Sequence, residues 1–209
     1  MDYNKLMELR KKVSERIEIL TKDNNFELSI RYLTHIHEEL FKGIYHGNGS
    51  LRKYNLNKDE DILNGDSVDY PDYNTVPSFL KFAFYDEKQI NYKNLSTDEA
   101  AIRIAHFAHT IWNIHPFIEG NTRTTCVFIE NYLNSLGYKV NNEIFKQNAE
   151  YFRNALVRAS YKNEKLKIKK DIMPLERFFI NVLNNQEVVE EDLYVYELFN
   201  KNKGRKRIK

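Results

Sequence analysis

Cysteine is nearly absent: Cys126 stands alone among 209 residues, which rules out an internal disulfide and suits a reducing compartment. With only 4 prolines and 7 glycines, the chain points to long helices joined by few elaborate turns. No apolar run is long enough to cross a bilayer, and no secretory signal is visible. The expected setting is therefore cytoplasmic, with export by a machine that ignores such signals left open. Charge of one sign is also missing. A formal net charge of +2 is too small to argue for nucleic-acid or membrane binding by the whole surface, so neither partner is expected. The basic run Lys201 to Lys209 reads as a solvated terminus. What is present is apolar and aromatic: 42% hydrophobic residues, with 14 Tyr and 13 Phe, mark a folded globule. The length suits one domain with appendages.

Helical spacing recurs through Leu6, Leu9, Val13, Ile17 and Leu20, and from Leu28 through Tyr32, Ile36 and Leu40 to Ile44. Residues 56–73 lose that period. Asn64-Gly65-Asp66 within them reads as a turn between short strands, predicting a small β-hairpin on an otherwise helical body. A helix follows from Val76 to about Tyr85. Ser96-Thr-Asp-Glu99 has the form of a capping box and opens another, which Pro116 stops. The next runs from near Asn121 to Leu136, with Gly137 as its stop. The last two are expected near Glu143–Ala159 and Leu175–Asn184, with Pro174 in a first turn.

Between the capping-box helix and its successor lies His115-Pro-Phe-Ile-Glu-Gly-Asn-Thr-Arg123. It gathers an imidazole, a carboxylate, a glycine, an amide and a fixed cation into one short turn, a mixture suited to chemistry on phosphate. Amides at a helix start attract anions, and Gly120 lets the backbone close around one. Arg123 can set its fork against a second phosphate. Glu119 is a hard oxygen ligand of the kind that holds magnesium together with substrate phosphates. His115 is placed to take a proton from an attacking hydroxyl.

The stretch resembles the motif of the Fic family, His-x-Phe-x-(Asp/Glu)-Gly-Asn-Gly-Arg-x-x-Arg, at His115, Phe117, Glu119, Gly120, Asn121 and Arg123. The likeness extends to Ile36–Tyr45 and Leu51-Arg52 ahead of a flap, to Asn57-Lys58 at its start, and to Tyr151-Phe-Arg-Asn154-Ala-Leu. It implies an all-α Fic-type helical domain with a β-hairpin flap. It also implies magnesium-dependent transfer of AMP from ATP to a Ser, Thr or Tyr hydroxyl of a target protein. In that reading His115 is the general base and Glu119 holds Mg2+. Gly120, Asn121, Thr122 and Arg123 bind the phosphate chain, Tyr151 and Asn154 border the nucleotide pocket, and Lys58 belongs to a flap that docks the target as an added strand. An antitoxin or a second copy of the chain is a further partner that the resemblance allows.

Two positions depart from the pattern. Thr122 replaces the second motif glycine, which would strain a β-branched residue if φ were positive there. Relatives that transfer a phosphoryl group carry lysine at this position but lose the preceding glycine, kept here as Gly120. Cys126 replaces the second motif arginine and supplies neither charge nor fork, so grip on the last phosphate is expected to weaken or the nucleotide to differ. The family's inhibitory helix, (Ser/Thr)-x-x-x-Glu-(Gly/Asn), is approached only by Ser14 to Glu18, followed by Ile19, so Glu18 is not expected to silence the enzyme.

Blander readings stand beside these. Glu119 could merely favour a helix start. His35, His37, Glu38 and Glu39 suggest a metal cluster, but surface pairing fits helical geometry better. His106 and His109 could bind zinc, yet packing explains them without a further ligand. Lys58 could protect a strand edge, and Cys126 could be a helix residue turned to the core rather than a nucleophile. Alternatives to AMP transfer are phosphoryl or other nucleotidyl transfer by the same cradle, or a toxin-type or regulatory binding module with little turnover. The expected layout is an N-terminal helix in 1–27, a catalytic unit in 28–185 with its motif at 115–126, and an acidic-then-basic extension in 186–209.

Overall fold

The computed structural model describes residues 3–23 and 25–195; the basic run 201–209 lies outside the described residues. Among them run eight α-helices: α1 Tyr3–Leu20, α2 Ile30–Phe41, α3 Val76–Lys88, α4 Thr97–Ile114, α5 Asn121–Ser135, α6 Asn142–Gln147, α7 Ala149–Ser160 and α8 Met173–Leu183. No described helix is long and apolar enough to cross a membrane. The fold is all-α.

Helix α4 is the central post, packed against α3, α5, α7 and α8. Its Ala100, Ala101, Ala105 and Ala108 are fully buried and let neighbouring helices approach, while Ile104, Phe107, Ile111 and Trp112 fill the spaces between them. The start of α4 is the expected capping box, with the Glu99 amide donating to Ser96 Oγ at 3.3 Å and the Ser96 amide to Glu99 Oε2 at 2.8 Å. On the other side α2 lies on α5, with α1 across its outer face. The aromatic surplus is core: Phe26, Phe84 and Phe107 pack around Phe128, Tyr132 packs on Phe26 and Phe107, and Phe145, Phe152, Phe178 and Phe179 form a second group. Trp112, 1% exposed, belongs to this interior.

Two expected elements differ in detail. The helix expected over Glu143–Ala159 is broken at Asn148, whose φ of −111° leaves the helical range and whose side chain caps Ile144 O at 2.8 Å. The hairpin of 56–73 is reduced to a single antiparallel bridge, Asp59 to Ser67. Asn64 (φ 57°) and Gly65 (φ 84°) reverse the chain as expected, but the intervening Asp61–Leu63 coils into a 3-10 turn. Ile62 and Leu63 are consecutive and both buried, which a turn of helix allows and alternating strand geometry does not. The segment still acts as a flap over the loop between α4 and α5.

Candidate active site

Helix α4 ends where Pro116 forbids continuation, and His115 takes up the turn in the left-handed region, φ 52° and ψ 61°. A non-glycine residue there is strained, and the surroundings hold it. The His115 amide donates to Trp112 O at 3.0 Å, and its carbonyl accepts from Arg52 Nε at 2.8 Å. Arg52 is itself 3% exposed. It donates further to Tyr54 O and Pro71 O, and its amide donates to Pro116 O at 2.8 Å. One guanidinium thus ties both ends of the flap to the motif.

The His115 ring is buried at 4% exposure, with Tyr70 of the flap 4.1 Å away, centroid to centroid. Its Nδ1 lies 3.2 Å from Trp112 O. A carbonyl carries no proton, so Nδ1 must donate, which leaves the lone pair on Nε2. Nε2 is buried and has no hydrogen-bond partner among the described residues. Burial above all, then the charges of Lys58, Arg52 and Arg153, pushes this imidazole down to about 3, so it is neutral at pH 7.

Beyond His115 the loop is braced from within. The Asn121 side chain accepts from the Phe117 amide at 3.0 Å and donates to Phe117 O at 2.7 Å, closing the turn. It is therefore committed to the loop, and what Asn121 offers an anion is its main-chain amide. Gly120 begins α5 at φ 80°, and a Cβ there would sit 2.3 Å from Phe41 Cε2. The main-chain amides of Asn121, Thr122 and Arg123 meet no protein acceptor among the described residues, leaving the positive mouth of α5 open. Thr122 lies within the helix and outside the positive-φ region, so the absence of the second glycine costs no strain. Its hydroxyl accepts from Trp112 Nε1 at 2.9 Å. Arg123 extends over the Phe41 ring, 4.8 Å from its centroid, and makes no ion pair among the described residues.

These groups line one cavity of about 290 Å³, bordered by His115, Glu119, Gly120 to Arg123, and Lys58 and Glu60 of the flap. Arg153 and Ala149 of α7 complete it. The Glu119 carboxylate, 53% exposed at the rim, accepts from Lys58 Nζ at 2.9 Å. No group of three or more His, Cys, Asp or Glu able to hold a metal occurs among the described residues. A single reachable carboxylate fits an ion such as magnesium that takes one protein oxygen and completes its shell from phosphates and water, with Lys58 displaced.

Tyr151 and Asn154 are not brought into this cavity. They are buried and line a neighbouring one, closed by residues 190–194, where Tyr151 Oη lies 3.3 Å from Glu191 Oε1. The α7 residues at the cradle are instead Ala149 and Arg153. Sequence reasoning missed Arg153, Glu60, Tyr70 and Arg52 as site residues, although Arg52 lay beside the flap, Glu60 and Tyr70 within 56–73, and Arg153 inside Tyr151-Phe-Arg-Asn154. It also misjudged His37, which is 3% exposed rather than a surface group. The Gly49 amide donates to its Nδ1 at 2.8 Å, so Nε2 carries the proton and donates to Glu119 O at 3.0 Å, while the ring stacks on Phe117 at 3.8 Å. Packing accounts for the other pair, since His106 meets Glu176 at 2.9 Å and His109 donates to Ser160 Oγ at 3.0 Å. Cys126 turns toward the core with its thiol pushed up by burial, no nucleophile and no phosphate ligand. Glu18 is exposed on α1, away from the cavity.

Comparison with known proteins agrees with this geometry. The protein adenylyltransferase of Bartonella henselae is 23% identical over 170 residues, covering 75% of this chain and 29% of the relative, so the chain spans under a third of that protein's length. The crystal structure of BepC, a VirB-translocated effector of Bartonella tribocorum with bound AMPPNP, matches with a TM-score of 0.68 at 19% identity over 87% of each chain. The type IV secretion system effector BepA matches with a TM-score of 0.68 at 18% identity, over 97% of this chain and 66% of that one. An N-terminal Fic domain of a Bep effector from Bartonella quintana, with bound ADP, matches with a TM-score of 0.64 at 18% identity, over 84% of this chain and 85% of that one. The family description Fic/DOC matches residues 27–133, just over half of the sequence and the whole of the motif. This chain belongs to the Fic/DOC family.

Proposed function

We propose that the protein transfers AMP from ATP to a Ser, Thr or Tyr hydroxyl of a target protein, with residues 28–185 as the catalytic unit. The observation that carries the reading is the free lone pair of His115 Nε2, buried and unpartnered on the cavity lined by the open amide mouth of α5. The named activity of the Bartonella henselae relative, and the AMPPNP and ADP bound in two of the similar structures, support the same ligand class.

The chain's residues divide the work by position. Amides of Asn121, Thr122 and Arg123, with the Arg123 guanidinium, grip the phosphates, and the flap around Lys58 lays the target segment beside them. The target hydroxyl oxygen attacks the α-phosphorus, forming the new P–O bond as the bond to the bridging oxygen of the β-phosphate breaks and pyrophosphate leaves. The hydroxyl proton passes to His115 Nε2. Burial, and after it three cations, hold that imidazole down in the free protein. Phosphates entering the cavity bring the opposite charge and raise its basicity as the substrate arrives. Magnesium held by Glu119 and the phosphates would neutralise charge on the departing pyrophosphate.

Incubation with ATP labelled at either the α- or the γ-phosphate tests this. Label from the α position on protein is the expected result. Label from γ alone, or from neither, overturns AMP transfer.

A further inference from the structure

Arg153 is a cavity cation that belongs to neither the motif nor the flap. It rises from α7, where Ala149 and Arg153 share one face and line the cradle while Tyr151 and Asn154 face a different cavity. Of the three cations on the cavity wall, Arg123 has no carboxylate partner among the described residues and Lys58 is engaged with Glu119. Arg153 lies 2.6 Å from Oε2 of Glu60, a flap carboxylate only 1% exposed, yet no donor meets Glu60 Oε2 at hydrogen-bonding angles. The contact engages one guanidinium nitrogen, Nη2, and the Arg153 side chain remains 43% exposed. A guanidinium has five N–H donors, so most of its capacity is unspent. Its charge also reaches His115, which it helps depress.

Resting on the nucleotide reading above, we infer that Arg153 is the second phosphate-binding cation of this cradle, gripping the phosphates beyond the α-phosphate from α7. It does so where Cys126 leaves α5 without a second guanidinium. Glu60 holds the side chain at the cavity wall through charge, and N–H groups not spent on that pair meet phosphate oxygens in the forked geometry arginine favours. The inference makes ATP preference over AMP depend on a helix outside the motif.

The test compares variants that keep the buried carboxylate from being orphaned, because an unpaired Glu60 could unfold the chain by itself. Wild type, Glu60→Gln and Glu60→Gln/Arg153→Gln are titrated calorimetrically with ATP and with AMP in the presence of magnesium, and their thermal midpoints are recorded without nucleotide. Glu60→Gln, which loosens the hold on Arg153 but keeps its guanidinium at the cavity, is expected to prefer ATP over AMP by less than wild type does. The double variant, at a similar midpoint, is expected to lose ATP affinity about 10- to 100-fold against Glu60→Gln while AMP binding is unchanged. Equal ATP affinity in the two variants, or parallel losses for ATP and AMP, overturns the assignment while leaving the nucleotide cradle standing. Wild type that takes up neither nucleotide overturns the cradle itself and the role of Arg153 with it.

Discussion

Arg52 Nε donates to the carbonyl of His115 at 2.8 Å, and that carbonyl belongs to the one residue of the cavity's loop that carries a side chain in the left-handed region. The relationship makes a flap-side arginine the support of the residue assigned as base. Because Arg52 is 3% exposed and satisfies several carbonyls at once, no lysine can replace its planar fork. Arg52→Lys is expected to lower unfolding free energy by roughly 2–4 kcal/mol, since a buried network loses donors and leaves carbonyls unpaired. Denaturant titration measures it, and a change below ~0.5 kcal/mol would show that the network is not structural.

His115→Ala addresses the chemistry. Removing a general base typically costs ~10²–10⁴-fold in rate, while the amides and Arg123 that hold phosphate remain. Single-turnover transfer should therefore collapse with ATP affinity nearly preserved. Near-wild-type transfer would remove His115 from the mechanism, and lost affinity would show that it shapes the cradle instead.

Glu18 tests the inhibitory-helix question. It is exposed on α1, and no α1 residue borders the cradle. Glu18→Gly is therefore expected to leave transfer unchanged. A large gain in activity would reveal an inhibitory contact.

The elements most legible in the sequence were those set by local chemistry. Ser96 and Glu99 announce the start of α4, Pro116 its end, and Gly137 the end of α5, because each acts on its own backbone neighbours. The motif was legible for the same reason, as a contiguous loop. What stayed hidden is what the tertiary fold brings together. Arg52 and His115 are 63 positions apart, and Glu60 meets Arg153 only because the flap folds onto α7. Helical spacing on α7 could not tell which face meets the cradle, so Tyr151 and Asn154 were named and Arg153, between them, was not. His37 misled for a related reason: its clamp on Gly49 and Glu119 exists only once the loop has docked.

Gly120 is held to glycine twice over, by φ 80° and by Phe41 at 2.3 Å from any Cβ. Gly120→Ala is expected to cost at least ~2 kcal/mol and to push the α5 mouth out of shape, with nucleotide affinity falling more than for Thr122→Ala. Trimming the ring with Phe41→Leu should recover part of the stability but not all of it, because the backbone strain persists. Full recovery in the double variant would assign the whole effect to the ring.

Glu130 gives the pH dependence a separate handle, away from the active site. It is 2% exposed on α5, accepts from Asn142 Nδ2 at 3.0 Å, and burial pushes its carboxyl up to about 7. Between the ordinary carboxylate value near 4.5 and 7 the folded protein binds more protons at this site than the unfolded chain. Stability contributed here thus falls as pH rises across that window and is level above it. Glu130→Gln keeps an oxygen for Asn142 and abolishes the charge. It is expected to stabilise the protein by roughly 2 kcal/mol at pH 8 and to have little effect near pH 4.5. Unfolding midpoints at the two pH values decide it: an equal effect at both would show that the carboxyl does not titrate inside this window.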